Sequence, residues 1–283
     1  MQKKIETVKT LLEALPFIKE FRNEIVVIKY GGSAQTSAKL KEKFAEDILL
    51  MYLVGIKPVI VHGGGSKITE MLDALNIETK FIDGQRVTTK EVMRIAEMIL
   101  SGEINKEIVS LLNSHGAKAI GISGKDAHFI TAKAKDFAKW GLTGNINAVK
   151  PIVLSKLIAD KFVPVIAPIA AGEEMGHPGF NINADLCASH VAKAIGANKI
   201  IFLTDTAGVL NKDKELLVTL TKAEVEAHKA DGTINGGMVP KVDACLEAID
   251  GGVKKAHIID GRLEHSMILE LFTSEGVGTE IVQ

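Results

Sequence analysis

The stretch Ile25-Val26-Val27-Ile28-Lys29-Tyr30-Gly31-Gly32-Ser33 decides the fold, because an apolar run, a lysine and a glycine turn follow one another directly. A short, continuous apolar run of this kind is typical of a strand buried in a parallel sheet. The glycines that follow expose backbone N–H groups. The pattern therefore predicts a strand that carries Lys29 to its C-terminal end, an environment that suits a phosphate group.

A second lysine beside glycines lies near the other end of the chain, in Gly236-Gly237-Met238-Val239-Pro240-Lys241. Phosphoryl transfer needs positive charge and N–H donors around the transferred group. The two segments together therefore favour a phosphotransferase.

Strand and helix patterns alternate from residue 24, which is typical of βαβ units and a parallel sheet. Strands are predicted at 24–29, 57–61, 117–122, 162–166, 198–203, 255–259 and 277–282. Helices are predicted at 38–54, 64–75, 89–101, 103–114, 151–160, 182–195, 221–230, 237–251 and 264–272, with a hairpin at 78–88 and strand-like pieces from 128 to 149. We therefore expect an α/β fold.

The chain divides into three predicted parts. Residues 1–22 contain an amphipathic helix at 5–21, which Pro16 should kink or divide. Residues 23–178 form an N-terminal lobe and residues 179–283 a C-terminal lobe. Because no linker rich in Pro, Ser or Gly separates the lobes, we expect them to share one sheet.

Composition excludes several classes of protein. Of 283 residues, 46% are hydrophobic, and 34 Lys and Arg nearly balance 35 Asp and Glu, so no electrostatic signal for nucleic acid is present. No apolar run reaches membrane-spanning length. The two cysteines, Cys187 and Cys245, lack metal or disulfide spacing and are interpreted as buried small residues in a reducing compartment. We expect a cytoplasmic protein without a metal site of its own.

A second glycine turn, His62-Gly63-Gly64-Gly65, also follows an apolar run and opens a helix. Its backbone amides could bind an anion, although such a turn is often only a tight connection. The segment lacks the last glycine of G-x-G-x-x-G, and no segment satisfies G-x-x-x-x-G-K-[ST]. Dinucleotide-binding and Walker-type interpretations are therefore disfavoured.

Three polar residues are candidate ligand groups. Arg86, in a hairpin loop, carries a planar guanidinium that suits a carboxylate; the alternative is an ordinary surface arginine beside a turn. Asn181 could donate its amide to a carboxylate, and Asp185 could lie between two lysines. The alternative is simple capping of the helix at 182–195.

The turn Leu203-Thr204-Asp205-Thr206-Ala207-Gly208-Val209 follows the strand at 198–203. It could face a nucleotide, with Asp205 near the ribose or adenine, and a plain turn is the alternative. The eight histidines include no H-E-x-x-H and no Cys/His cluster, which disfavours a structural zinc site.

In their order along the chain and in their amino-acid sequence, these segments resemble the motifs of the amino acid kinase superfamily. The resemblance covers nearly the whole chain and is closest to the family of N-acetylglutamate kinases. The resemblance implies a three-layer αβα sandwich with an open, mainly parallel sheet. It also implies that the N-terminal lobe binds N-acetyl-L-glutamate and supports dimerisation, and that the C-terminal lobe binds ATP. The side-chain carboxylate would attack the γ-phosphate and form N-acetyl-L-glutamyl 5-phosphate, a step of arginine biosynthesis.

The same resemblance assigns roles to residues. Lys29 would contact the transferred phosphoryl group, Lys241 the leaving side, and Asp185 would organise both lysines. The amide of Gly32 would complete the catalytic set. Substrate binding would involve Gly64, Gly65, Arg86 and Asn181, and nucleotide binding would involve Lys29, Gly31, Thr204, Asp205, Gly208, Gly237 and Lys241. Mg²⁺ would arrive with ATP, held mainly by phosphates and water.

The helix at 5–21 resembles the extension of hexameric, arginine-inhibited members, in which such helices interlace between dimers. The C-terminal segments resemble their arginine site, so L-arginine is an expected inhibitor, with His265, Glu275, Gly276 and Gly278 as candidate effector residues. The alternative is a helix that packs on its own subunit. Some relatives also bind a PII-type signalling protein.

Three other functions compete with this interpretation. A kinase of the superfamily acting on glutamate, aspartate, carbamate or a nucleoside monophosphate would share Lys29, whereas Arg86 with Asn181 favours an acyl amino acid. A non-catalytic arginine or nucleotide sensor would bind ligand without turnover. A generic dehydrogenase would bind NAD.

Overall fold

The computed structural model describes the backbone of residues 1–283 and the side chains of all residues except Lys3, Thr7, Thr10 and Ser33; the Ser33 side chain of the first glycine turn therefore lies outside the description. At its centre is one eight-stranded sheet. In chain order, the strands of the whole molecule are β1 (Ile25–Tyr30), β2 (Lys57–His62), β3 (Phe81–Ile82), β4 (Gln85–Arg86), β5 (Ala119–Ser123), β6 (Ile130–Ala134), β7 (Gly144–Val149), β8 (Val163–Ala167), β9 (Ile169–Ala170), β10 (Phe180–Asn181), β11 (Lys199–Thr204), β12 (Thr219–Thr221), β13 (Lys255–Asp260) and β14 (Thr279–Val282). Apart from the eight in the central sheet, β3 pairs with β4, β6 with β7 and β9 with β10.

Helices flank this sheet, and together they confirm the expected αβα architecture. They are α1 (Gln2–Phe21), α2 (Ala38–Leu53), α3 (Gly65–Ala74), α4 (Lys90–Glu97), α5 (Asn105–Ser114), α6 (Phe137–Trp140), α7 (Ile152–Ala159), α8 (Ala184–Ala194), α9 (Lys222–Ala230), α10 (Val239–Asp250) and α11 (Ser266–Phe272). A π-helical segment, Met98–Ile104, joins α4 to α5. Short 3₁₀ turns occupy Gly32–Gln35, Asp126–His128 and Gly236–Met238.

The order of strands in the sheet is β12-β14-β13-β11-β1-β2-β8-β5. All neighbours are parallel except β13 and β14, which are antiparallel. Because β1, β2, β5 and β8 belong to residues 23–178 and β11 to β14 to residues 179–283, both predicted lobes contribute strands to one sheet. The core strands are buried on both faces; the Ile28 side chain is wholly inaccessible, and such burial is worth roughly 1.5–3 kcal/mol per large aliphatic side chain.

The strand order reverses its direction between β1 and β11. The chain proceeds from β1 to β2 on one side and from β11 to β13 on the other. In open α/β sheets, ligands bind in the crevice beyond the carboxyl ends of the strands at such a switch point. The fold therefore places the ends of β1, β2 and β11 around one cleft.

Of the kink or division expected at Pro16, the division does not occur, because α1 continues through this residue. Proline removes one backbone N–H, a cost of about 3 kcal/mol in a helix interior. The final turn nevertheless holds, since Phe21 is buried and the Arg22 N–H donates to the Ile18 carbonyl at 3.0 Å. No helix in the described part of the chain has the length and apolarity needed to cross a bilayer.

Candidate active site

Lys29 lies at the carboxyl end of β1 and is nearly buried, with 9% of the residue exposed. Its Nζ atom lies 3.0 Å from Oδ1 of Asp185. The ammonium group therefore lies on β1, and the carboxylate that balances its charge lies on α8, in the second half of the chain.

Asp185 occupies the first turn of α8, where the local sequence fixes its direction. The side chain of Asn183 caps this helix and accepts hydrogen bonds from the N–H groups of Asp185, at 2.9 Å, and Leu186, at 3.1 Å. Asn183 therefore caps the helix, which leaves the Asp185 carboxylate to face the lysines.

Lys241 approaches the same carboxylate from the first turn of α10, with Nζ 3.3 Å from Oδ2 of Asp185. α8 and α10 pack together, and Ser189 ties them by donating to the Ala244 carbonyl at 2.7 Å. Burial alone would raise the pKa of Asp185, but Lys29 and Lys241 outweigh it, so the pKa lies below its ordinary value. One ionised carboxylate therefore holds two ammonium groups about the cleft.

The first glycine turn closes tightly on this cluster. A Cβ atom at Gly31 would lie 2.8 Å from Lys29 Nζ. Gly32 has a φ of +66°, and a Cβ there would lie 2.5 Å from Oδ1 of Asp205. Only glycine fits this approach, which brings the nucleotide candidate Asp205, just beyond β11, to the turn after β1.

The second glycine turn precedes α3. Gly64 is the N-cap of this helix, and a side chain there would collide with Leu100 and Ile104 of the π-helical segment. The Gly64 and Gly65 N–H groups find no acceptor within the described part of the chain. They are therefore available to an anionic ligand.

Arg86 is buried at 7% exposure, and its guanidinium lies 4.6 Å from the centre of the Phe81 ring. It donates to the Gly65 carbonyl and to the Thr69 and Thr79 hydroxyls at 2.8–2.9 Å. Burial lowers the pKa of Arg86, and among the described residues no carboxylate lies within ion-pair distance of it. A buried cation with neutral partners is a fitting place for a ligand carboxylate.

Asn181 is joined to Arg86 through two buried hydroxyl groups. Its side-chain amide donates to the Thr88 hydroxyl at 3.2 Å, and the Thr143 hydroxyl lies 3.0 Å from that of Thr88. Thr143 also donates to the Arg86 carbonyl at 2.6 Å. The structure therefore brings the two predicted carboxylate ligands into one network. Sequence reasoning missed both threonines, although Thr88 lies in the segment that directly follows Arg86.

The remaining nucleotide candidates all lie within residues 179–283. Thr204 ends β11, next to Asp260 of β13. Gly208, with a φ of +148°, approaches Thr279 closely. Gly237 lies in the 3₁₀ turn before α10, and a Cβ there would meet nothing within 4 Å, so its backbone is open to a ligand.

The candidate arginine residues do not form one group. His265 lies apart, with Nδ1 2.6 Å from Oδ1 of the buried Asp47, and Glu275 is exposed. Gly276 and Gly278 instead line a cavity of about 250 Å³ between α1 and the C-terminal lobe. His257, the first residue of the C-terminal segment that resembles the arginine site, also lines this cavity. Sequence reasoning missed the acidic and basic residues around it, which are Glu20, Lys199, Lys255, Glu270 and Glu280.

The sequence profile of one protein family matches most of the chain. Residues 24–260 match the sequence profile of the amino acid kinase family. This match includes β1, the glycine turns and the lysine–aspartate–lysine cluster.

Similar curated proteins are found in bacteria. The acetylglutamate kinase of Sulfurimonas denitrificans is 85% identical over 281 residues, covering 99% of each chain. That of Nitratiruptor sp. is 71% identical and covers 100% of this chain and 99% of its own. The chain therefore belongs to the amino acid kinase family and, within it, to the acetylglutamate kinases.

A solved structure shows the same fold in a different protein. The N-acetylglutamate synthase of Neisseria gonorrhoeae, in complex with coenzyme A and N-acetyl-glutamate, superposes with a TM-score of 0.84 at 24% identity. The similarity covers 98% of this chain but only 63% of the synthase chain. At this identity the match supports the fold alone.

Proposed function

We propose that this enzyme transfers the γ-phosphoryl group of ATP to the side-chain carboxylate of N-acetyl-L-glutamate, forming ADP and N-acetyl-L-glutamyl 5-phosphate. The observation that carries the proposal is the Lys29–Asp185–Lys241 cluster at the switch point of the sheet. The acetylglutamate kinase relatives and the two glycine turns support it.

The acceptor carboxylate is already nucleophilic, so the chemistry requires no general base. Charge repulsion between the carboxylate and the phosphates is the main obstacle. Lys29 would neutralise the transferred group and Lys241 the leaving side, while Asp185 holds both lysines in place. The amides of Gly31, Gly32, Gly64 and Gly65 would donate to oxygens that gain negative charge.

Mg²⁺ fits this site as a companion of ATP. Both oxygens of Asp185 already face ammonium groups, and no cluster of three metal-ligating side chains occurs in the described part of the chain. The metal would therefore keep phosphate and water ligands and would neutralise phosphate charge. Thr204, Asp205, Gly208 and Gly237 are proposed to surround the nucleotide.

We propose a division of labour between the two predicted lobes. Residues 23–178 would bind the acyl amino acid and form the dimer contact. Arg86 from this lobe and Asn181, which lies just beyond it at the start of the second lobe, would bind the α-carboxylate. Residues 179–283 would bind ATP. A cytoplasmic location and docking of a PII-type protein remain predictions.

The test is ADP release from MgATP with N-acetyl-L-glutamate, glutamate, aspartate, carbamate and UMP offered separately. Turnover with N-acetyl-L-glutamate alone supports the proposal. Turnover with another acceptor would overturn the roles of Arg86 and Asn181 but preserve those of the lysines. Binding of ATP or arginine without any turnover would point to a sensor.

Arg86→Lys should raise the KM for N-acetyl-L-glutamate about tenfold or more, because lysine keeps the charge but loses the bidentate fork. The KM for ATP should change little. Initial rates at varied acceptor and varied ATP measure both values. Arg94→Lys, on the following helix, is the matched control. A KM effect confined to ATP would remove Arg86 from the acceptor site.

A second proposal concerns assembly through α1. Several of its apolar side chains are at least 40% exposed, namely Ile5, Val8, Leu11, Leu12 and Leu15. We propose that this stripe packs against α1 of another subunit, which would join dimers into a hexamer. Light scattering of the full chain checks this, and a monomeric or dimeric mass would contradict it.

Inhibition by L-arginine is proposed to act through the cavity beneath α1. Lys199 is buried there, and its Nζ lies 4.6 Å from the centre of the Phe21 ring. The partly exposed carboxylate of Glu280 lies in the same cavity, 2.9 Å from Lys255. A cation and an anion lining one pocket complement the carboxylate and guanidinium of arginine.

Glu280→Gln should raise the arginine concentration that gives half inhibition about tenfold or more, since a hydrogen bond to a charged group is worth about 1.5–3 kcal/mol. Uninhibited turnover should remain unchanged. Glu275→Gln, which alters the exposed candidate, should have little effect on inhibition. The reverse pattern would return the effector site to the exposed Glu275 loop.

A further inference from the structure

His62 is a buried titratable residue to which the mechanism above gives no role. It ends β2, directly before the second glycine turn, and its exposure is 0%. If apolar side chains alone surrounded the His62 ring, both of its nitrogens would lack hydrogen-bond partners. The structure provides a specific partner for each.

The two nitrogens have different partners. Nδ1 lies 3.0 Å from the Gly63 carbonyl oxygen, which can only accept, so Nδ1 carries the proton. Nε2 lies 3.2 Å from Nδ2 of Asn105, which donates to it. The same Nδ2 atom of Asn105 also donates to the Val165 carbonyl at 2.9 Å. Because a carbonyl can only accept, this contact identifies the Asn105 atom as the amide nitrogen.

Further contacts fix the orientation of Asn105. Its Oδ1 accepts from Lys106 Nζ at 3.0 Å, and this ammonium also donates to the Gly121 carbonyl at 3.1 Å. A Cβ atom at Gly121 would overlap with the Asn105 side-chain oxygen. The amide therefore cannot flip without losing several bonds, and it imposes one tautomer on His62.

The hydrogen bond from His62 to the Gly63 carbonyl also orients the N–H group of the same peptide, which belongs to Gly64. In a trans peptide the C=O and N–H groups point in opposite directions, and all the described peptide bonds are trans. Holding the Gly63 carbonyl against the buried imidazole therefore directs the Gly64 N–H away from it. The preceding peptide is also held, since the Gly63 N–H donates to the Tyr30 carbonyl at 2.8 Å.

We propose that His62, locked by Asn105 in the tautomer protonated at Nδ1, is a positioning residue that aims the Gly64 amide at the acyl amino acid. The proposal rests on the proposed function, in which that amide binds the acceptor. Glycine at three successive positions leaves this loop many alternative conformations, and the imidazole selects one of them.

The electrostatics agree with a His62 ring that is neutral near pH 7. Burial, with the nearby Lys106 ammonium, lowers the pKa of His62 to about 4, although the bond to Gly63 opposes this shift. The tautomer is thus retained throughout the neutral pH range. His62 is not suited to act as an acid or base.

Two variants separate the two ring nitrogens. Asn at position 62 places an N–H donor where Nδ1 lies, whereas Gln reaches only the position of Nε2. His62→Gln should lower kcat/KM for N-acetyl-L-glutamate at least about tenfold, because small errors in orientation are costly, and His62→Asn should recover most of the loss. The KM for ATP should stay within about twofold in both variants. His115→Gln, at the end of α5, is the control.

The result that would overturn the proposal is equal activity of the Asn and Gln variants, or a Gln variant that is the more active. A measurement on the unaltered enzyme tests the proposal even if neither the Asn nor the Gln variant folds. Nitrogen NMR of histidine-labelled protein should show Nδ1 of His62 protonated and Nε2 unprotonated at neutral pH. The opposite tautomer would refute the proposal whatever the activities are.

These readouts also distinguish this inference from the proposed function. If the unaltered enzyme does not phosphorylate N-acetyl-L-glutamate, the proposed function fails while the tautomer can still be observed. If the unaltered enzyme is active and His62→Gln keeps its kcat/KM, the positioning role alone fails.

Discussion

Lys29→Ala should lower kcat by about two to three orders of magnitude, the usual loss when one aligned donor to a developing negative charge is removed. Lys29 is held at the carboxyl end of β1 by the 3.0 Å contact with Asp185, and alanine would leave no ammonium group at this position. The KM for N-acetyl-L-glutamate should change much less than kcat. Single-turnover measurement of ADP formation isolates the chemical step.

Two controls protect this interpretation. Lys222→Ala removes a surface lysine paired with Asp250, an exposed contact worth at most about 1 kcal/mol, and should leave turnover unchanged. Circular dichroism must show that Lys29→Ala remains folded, since Asp185 then keeps only Lys241 as a partner. Turnover within tenfold of the unaltered enzyme would exclude Lys29 from transition-state stabilisation.

Asp185→Asn should lower kcat about a hundredfold or more, although the residue touches neither substrate in the proposed mechanism. The carboxylate is the common counter-charge of two ammonium groups, and an amide of the same shape leaves them to repel each other. Because the pKa of Asp185 is depressed, its stabilising contribution is present at neutral pH and is lost as the pH falls through the folded-state pKa. Initial rates and thermal unfolding near neutral pH measure both effects.

Asp243→Asn provides a matched control on α10, where the carboxylate pairs with Lys229 at the surface. It should leave kcat unchanged. If Asp185→Asn lowered thermal stability but retained full turnover, the carboxylate would be structural only, and the two lysines would have to be positioned by other groups.

The sequence predicted the fold well where the signal was local. Buried runs such as Ile25–Ile28 identified the main strands, and apolar periodicity located most helices to within a few residues. Non-local features were not predictable in this way. The strand order, the antiparallel β14 and the short edge strand β12 depend on pairings between distant segments, and no local pattern reports them.

The same distinction applies to the site. Glycine turns and their lysines were visible because each lies beside a strand or helix signal. The join of Asn181 to Arg86 through Thr88 and Thr143 was not, since a buried threonine is locally indistinguishable from any other strand-forming residue. Likewise, the continuity of α1 through Pro16 and the π-helical segment before Asn105 reflect packing that outweighs local preference.

The reversal of strand order between β1 and β11 has a consequence for the nascent chain. During synthesis β1 can pair with β2 at once, but its other neighbour is made about 170 residues later, so one edge of a strongly apolar strand stays unpaired in the meantime. Lys29 is present from the beginning, whereas Asp185 and Lys241 arrive with the second half. An incomplete chain therefore has Lys29 without its counter-charge, and the lysine–aspartate–lysine cluster can assemble only after α8 and α10 have been made.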